Sequence, residues 1–170
     1  MLKLAGMFFI VTGAAGIGRY LMAYLKRHLD QLVECRELFA RMDACREYLR
    51  LPYAEILRRT AKDRHGIFQE MLLEVADEME KNREADAGAL WKTAFSERKK
   101  QILLKEEEKE LFLALAETLL LEGDHTQAAK MYVLQMEDKI QKAMEEKSEK
   151  QKLYGTVSLL GGLLLVILLL

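Results

Sequence analysis

One proline, two cysteines and one tryptophan are all that the 170 residues hold of those types, and each scarcity removes a class of structure. With Pro52 as the sole proline, long helices meet almost no interior breaker, so the composition reads as nearly all helix. Cys35 and Cys45 lie ten apart on one expected helix, about 15 Å from each other and too far for a disulfide. They read as small apolar core residues, which suits a reducing compartment. A basic stripe is also lacking: Lys and Arg number 26 against 27 Asp and Glu, evenly mixed, which argues against a nucleic-acid platform.

Charge is missing altogether from the last eighteen residues, Leu153 to Leu170. As a helix that run reaches about 27 Å, close to the hydrocarbon thickness of a bilayer. A second apolar stretch, Leu4 to Leu25, is interrupted only by Arg19. Between them, 26–152 holds 24 of the 26 Lys and Arg and all of the acidic residues. The expected organisation is an N-terminal transmembrane helix over 1–25, a cytoplasmic helical-bundle domain over 26–152 and a C-terminal transmembrane helix over 153–170. Arg19, Lys26 and Arg27 on one flank, and Lys147, Lys150 and Lys152 on the other, place the middle in the cytoplasm. Retention of the first segment is favoured over cleavage as a secretory signal, because the apolar stretch continues straight into a helix.

Within the first segment, Thr12-Gly-Ala-Ala-Gly-Ile-Gly18 is similar to the nucleotide-binding turn of short-chain dehydrogenases, but it is one residue short. The partner strands, the closing acidic residue and the Tyr-x-x-x-Lys pair are all lacking. The membrane reading accounts for the same residues: Gly6, Gly13, Ala14, Gly16 and Gly18, with Gly161 and Gly162 in the tail, are small residues suited to close helix packing in lipid. Self-association of the chain is left open.

The middle predicts about six short helices. Leu29, Leu32, Phe39, Met42 and Leu49 make one buried stripe, and Pro52 ends that helix and starts the next. Tyr53, Ile56, Leu57 and Ala61 form the second face. A third helix carries Phe68, Met71, Leu72 and Val75, and Asp86 caps a fourth with Trp91 and Phe95. Leu103, Leu104, Leu111, Phe112, Leu115 and Leu119 mark the fifth. Gly123 closes it, Asp124 to Gln127 opens the sixth, and Ala128, Tyr132, Gln135, Met136, Ile140 and Ala143 face its core. Trp91, Phe95, Phe68 and Leu115 are the expected core anchors.

No residue pattern suggests catalysis. His28, His65 and His125 have no ligand partner at i+3 or i+4, so no metal and no cofactor is expected. Glu106, Glu107, Glu108 and Glu110 form a solvated first turn that suits the helix dipole. The densest cationic patch is Arg58, Arg59, Lys62, Arg64 and His65, which suits an acidic partner or anionic headgroups.

Four segments in this order carry a resemblance: Leu51-Pro-Tyr-Ala-Glu-Ile-Leu57, Leu90-Trp-Lys-Thr-Ala-Phe95, Leu115-Ala-Glu-Thr-Leu119 followed by Gln127, and the tail from Lys152 to Leu170. Together they resemble the stage III sporulation protein AB family of endospore-forming bacteria, over essentially the whole chain. The resemblance implies a helical domain similar to that of the F-type inner-membrane platform protein of type II secretion and type IV pilus systems. It implies a non-enzymatic, two-pass protein of the mother-cell membrane (the outer forespore membrane), within the channel between mother cell and forespore. Its implied partners are a stage III sporulation protein AA-type ATPase and other membrane proteins of the channel, with Arg58, Arg59, Lys62, Arg64, Glu106, Glu107 and Glu110 as candidate contacts. The chain departs from the family pattern at Ala116 and Leu120, where glycine is expected. It departs again at Gly123, where an acidic residue is expected and Asp124 follows one step later. The alternative is a membrane-anchored helical adaptor unrelated to secretion.

Overall fold

A computed structural model of the chain describes residues 2–49, 51–62, 65–82, 86–120 and 126–169. The described residues form six α-helices and no strand: α1 (Leu2–Ala44), α2 (Tyr53–Ala61), α3 (Ile67–Lys81), α4 (Ala87–Glu97), α5 (Glu106–Leu120) and α6 (Thr126–Leu169). The all-α expectation holds. The first and last helices are long, 43 and 44 residues, and no break marks the expected boundaries at 25/26 and 152/153. The chain divides into one unit of residues 30–140 and another of residues 1–29 with 141–170.

In the 30–140 unit, helix boundaries follow local chemistry. Pro52 stands as the N-cap of α2, its carbonyl accepting from Ile56 N at 3.0 Å. Gly66 precedes α3 at φ 120°, a backbone region that L side chains rarely adopt. Asp86 caps α4 by accepting from Gly88 N at 3.0 Å, as its position predicts. The expected cap of α6 at Asp124, and Gly123 before it, lie outside the described residues.

The core is built on Phe112 of α5. Its ring meets Phe39 of α1 at 4.6 Å, Phe95 and Trp91 of α4 at 4.9 and 5.1 Å, and Phe68 of α3 at 6.2 Å between centroids. The three nearest contacts are edge-on, the arrangement that the ring quadrupole favours. Around them Leu32, Cys35, Leu38 and Met42 of α1 recur at helical spacing and are buried. Buried hydroxyls are satisfied locally: Thr60 donates to Ile56 O and Thr118 to Ala114 O.

Three elements of the expected organisation differ. Leu103 and Leu104, expected on the fifth helix, lie in the loop before α5, where Gln31 accepts from Leu103 N. Leu49 is exposed because α1 passes at Cys45–Leu49 into a π turn. Its wider i→i+5 winding rotates the following side chains out of the α-helical stripe. In α6, Ala129, Met136 and Ala143 are buried, whereas Gln135 is exposed and Ala128, Tyr132 and Ile140 are half-buried. Within the 30–140 unit the buried positions Ala129 and Met136 lie seven apart, a narrower stripe than expected.

In the other unit, Leu25, His28 and Ala143 are buried. Large apolar side chains stand exposed there, among them Ile17 (65%), Tyr20 (72%), Leu153 (58%), Val157 (57%), Leu160 (58%) and Leu164 (60%).

Candidate partner-binding groove

The end of α1, the π turn, α2 and α3 enclose a wide-mouthed groove of about 920 Å³. Its lining includes four cations, Arg41, Arg58, Arg59 and Lys62, and one carboxylate, Glu55. Ala44 and Leu73 supply exposed apolar surface, and Cys45 contributes a half-buried thiol. The four cations share this lining and differ in how each charge is already engaged.

Arg58 is committed to the fold. Its guanidinium bridges α2 to α3, bonding Asp77 at 2.7 Å and Glu80 at 2.9 Å, with a second contact to Glu80. These bonds, Glu80 first and Asp77 second, hold Arg58 further above its already high pKa. Arg59 pairs within its own helix with Glu55 at 3.5 Å. Arg41 and Lys62 are exposed and form no ion pair among the described residues. Arg64 lies outside the described residues. His65 is exposed, and His125 also lies outside.

The acidic turn of α5 does several different things. Glu106 pairs with Lys109 at 2.7 Å, which lowers its pKa. Glu107 binds Lys139 at 2.5 Å and ties α5 to α6, and Lys139 is raised mainly by that bond. Glu110 is exposed. Glu108, expected in solvent, is 3% exposed, and its carboxylate accepts from Lys105 N at 2.7 Å. That is the N3-to-N-cap half of a capping box. The signal for it, a glutamate three after the last loop residue, is present in the sequence, but three consecutive glutamates, with a fourth after Lys109, hide which one turns inward.

The expected anchors Trp91, Phe95, Phe68 and Leu115 are buried and gather on α3, α4 and α5. Polar groups whose roles the sequence did not show hold the framework between them. Trp91 Nε1 donates to Tyr53 Oη at 3.2 Å, and Tyr53 Oη donates to Ala116 O at 3.2 Å. Gln31 grips the loop before α5 in both directions, donating to Gln101 O at 3.0 Å and accepting from Leu103 N at 2.7 Å. Gly88 lies so close to the Glu117 carboxylate that any Cβ there would displace it.

Of the small residues expected to pack helices, four have described surroundings. A Cβ built on Gly13, Gly16, Gly18 or Gly161 would find nothing within 4 Å. The surroundings of Gly6, Ala14 and Gly162 lie outside the described residues. Thr12 to Gly18 is continuous helix within α1, so the strand-to-helix turn of a dinucleotide site is not formed there. Among the described residues no His, Cys, Asp or Glu cluster has metal-binding geometry. Among them, too, no helix is long and apolar enough to cross a membrane. The side chains of 1–11, and most of those from 155 onward, lie outside the described set.

The described residues thus define an all-helical protein whose core joins α1 to α5 through one phenylalanine and whose α1, α2 and α3 line an open cationic groove. The family model for stage III sporulation protein AB matches residues 3–170, and the chain belongs to that family. No curated protein and no solved structure matches it.

Proposed function

We propose that this protein is a non-enzymatic membrane platform of the sporulation channel between mother cell and forespore. In this reading it is held in the mother-cell membrane at both ends and couples a stage III sporulation protein AA-type ATPase in the cytoplasm to membrane partners. Membership of the sporulation family supports the setting. The observation that carries the membrane part is the exposed apolar face of α6: Leu153, Val157, Leu160 and Leu164 stand open within a sequence run that has no charge from Leu153 to Leu170. Exposed leucine and valine at that density are stable in hydrocarbon and costly in water, at about 25 cal/mol per Å². The upstream cations Lys147, Lys150 and Lys152 suit a cytoplasmic flank.

The coupling part is mechanical. Each of the long helices α1 (Leu2–Ala44) and α6 (Thr126–Leu169) contributes residues to both units, and packed secondary elements are one means by which coupling travels between sites. The test is deletion in the spore-forming parent, complemented with the full chain or with a chain truncated before Leu153. Forespores that engulf and then stall, rescued only by the protein with its tail, are the expected result. Normal sporulation without the gene would remove the reading.

A further inference from the structure

The groove of α1, α2 and α3 combines properties that a merely solvated helix surface does not. It is a shallow, wide-mouthed depression of about 920 Å³, large enough for a segment of chain to lie along it. Two of its four cations, Arg58 and Arg59, are neutralised by carboxylates of the same unit. The other two, Arg41 and Lys62, sit on different helices, α1 and the C-cap of α2, and keep their charge unpaired among the described residues. Leu73 of α3, 38% exposed, offers apolar contact in the same groove.

We infer that this groove docks an acidic segment of a partner protein, with Arg41 and Lys62 receiving its carboxylates and Ala44 and Leu73 its apolar side chains. Charge complementarity selects this occupant: the surplus of the lining is positive, and its one carboxylate, Glu55, is already engaged by Arg59. An anionic membrane surface fits less well, because it is flat and would meet the carboxylates of Asp77 and Glu80 that hold Arg58 beside the groove. The inference deepens the platform reading and rests on it only for the partner's identity. The chemistry of the groove stands by itself.

The native thiols supply the measurement. Cys45 lines the groove and is half-buried, while Cys35 is fully buried and serves as the internal control. The full chain in a mild nonionic detergent is alkylated with a maleimide, and the rate at Cys45 is followed by mass spectrometry. The probes are a short peptide of repeating Glu-Glu-Leu-Leu, its Lys-Lys-Leu-Leu counterpart, and phosphatidylglycerol vesicles. The acidic peptide is expected to protect Cys45 in a salt-dependent way, and the basic peptide is not. The double variant R41E/K62E should weaken protection about tenfold while keeping the far-ultraviolet spectrum of the parent. If that variant fails to fold, Leu73→Asp tests the same site from its apolar side and is expected to weaken protection as well. No protection by the acidic peptide, equal protection by both peptides, or protection by vesicles alone would overturn the assignment. Because the assay involves no sporulation, a failed docking site and a failed platform role give different results.

Discussion

Trp91 and Tyr53, 38 positions apart in sequence, are joined by a hydrogen bond of 3.2 Å from the indole Nε1 to the phenol oxygen. The same phenol donates to the carbonyl of Ala116. Each of these residues belongs to a different segment of family resemblance, the Leu-Pro-Tyr, Leu-Trp and Leu-Ala-Glu-Thr stretches. The three segments thus meet at one polar relay between α2, α4 and α5, at the edge of an otherwise apolar core. A glycine at 116 would offer the same carbonyl, so alanine there leaves the relay intact, and Ala116 itself is fully buried.

Tyr53→Phe removes an acceptor from the indole and a donor from the Ala116 carbonyl while leaving the ring in place. Leaving buried polar groups unpaired costs about 1–3 kcal/mol. The variant should unfold at lower denaturant by that amount, and the folded-state emission of Trp91, the only tryptophan, should shift. An unchanged midpoint with an unchanged spectrum would show that water replaces the phenol without loss.

Cys35 gives the 30–140 unit an alkaline limit. Burial pushes its thiol pKa well up, with Glu34 and Glu108 adding to the effect. A group whose folded pKa lies above its unfolded value contributes stability that is full below the unfolded pKa and is lost as pH rises toward the folded one. The unfolded thiol titrates at about 8.5, so stability should decline from there upward. Cys35→Ala should flatten that slope between about pH 8 and about pH 9.5, before Tyr53, which burial also pushes up, begins to contribute. Denaturant unfolding of both proteins across this window decides it. Parallel slopes would sink the assignment.

Arg58 and Arg41 line the same groove but should answer differently to neutralisation. Arg58→Gln severs both links from α2 to Asp77 and Glu80 of α3, so the melting temperature should fall. The deficit should shrink in about 1 M salt, where exposed pairs are screened within a few ångströms. Arg41→Gln breaks no pair among the described residues and should melt like the parent. Equal losses from the two substitutions would show that the groove's charges act on the fold collectively.

What could be read from the sequence was what repeats locally. Helical periodicity marked the stripes of α1, α3 and α5, because a helix's buried face is set by its own 3.6-residue turn. Pro52 and Asp86 announced helix starts through backbone chemistry that needs no distant partner. The anchors Trp91, Phe95, Phe68 and Leu115 followed from the same periodicity, and the family was legible in four ordered segments. Tertiary structure decided which of several equivalent residues is engaged. Phe112 rather than Trp91 stands at the centre of the rings, and Glu108 rather than its neighbours turns inward. Arg58 is spent on α3 while Arg41 and Lys62 stay open, and the π turn carries Leu49 out of its stripe. Each of these outcomes depends on groups brought together from distant parts of the chain or on a change of helical winding. A periodic pattern records which face a residue shares, but not what waits opposite it.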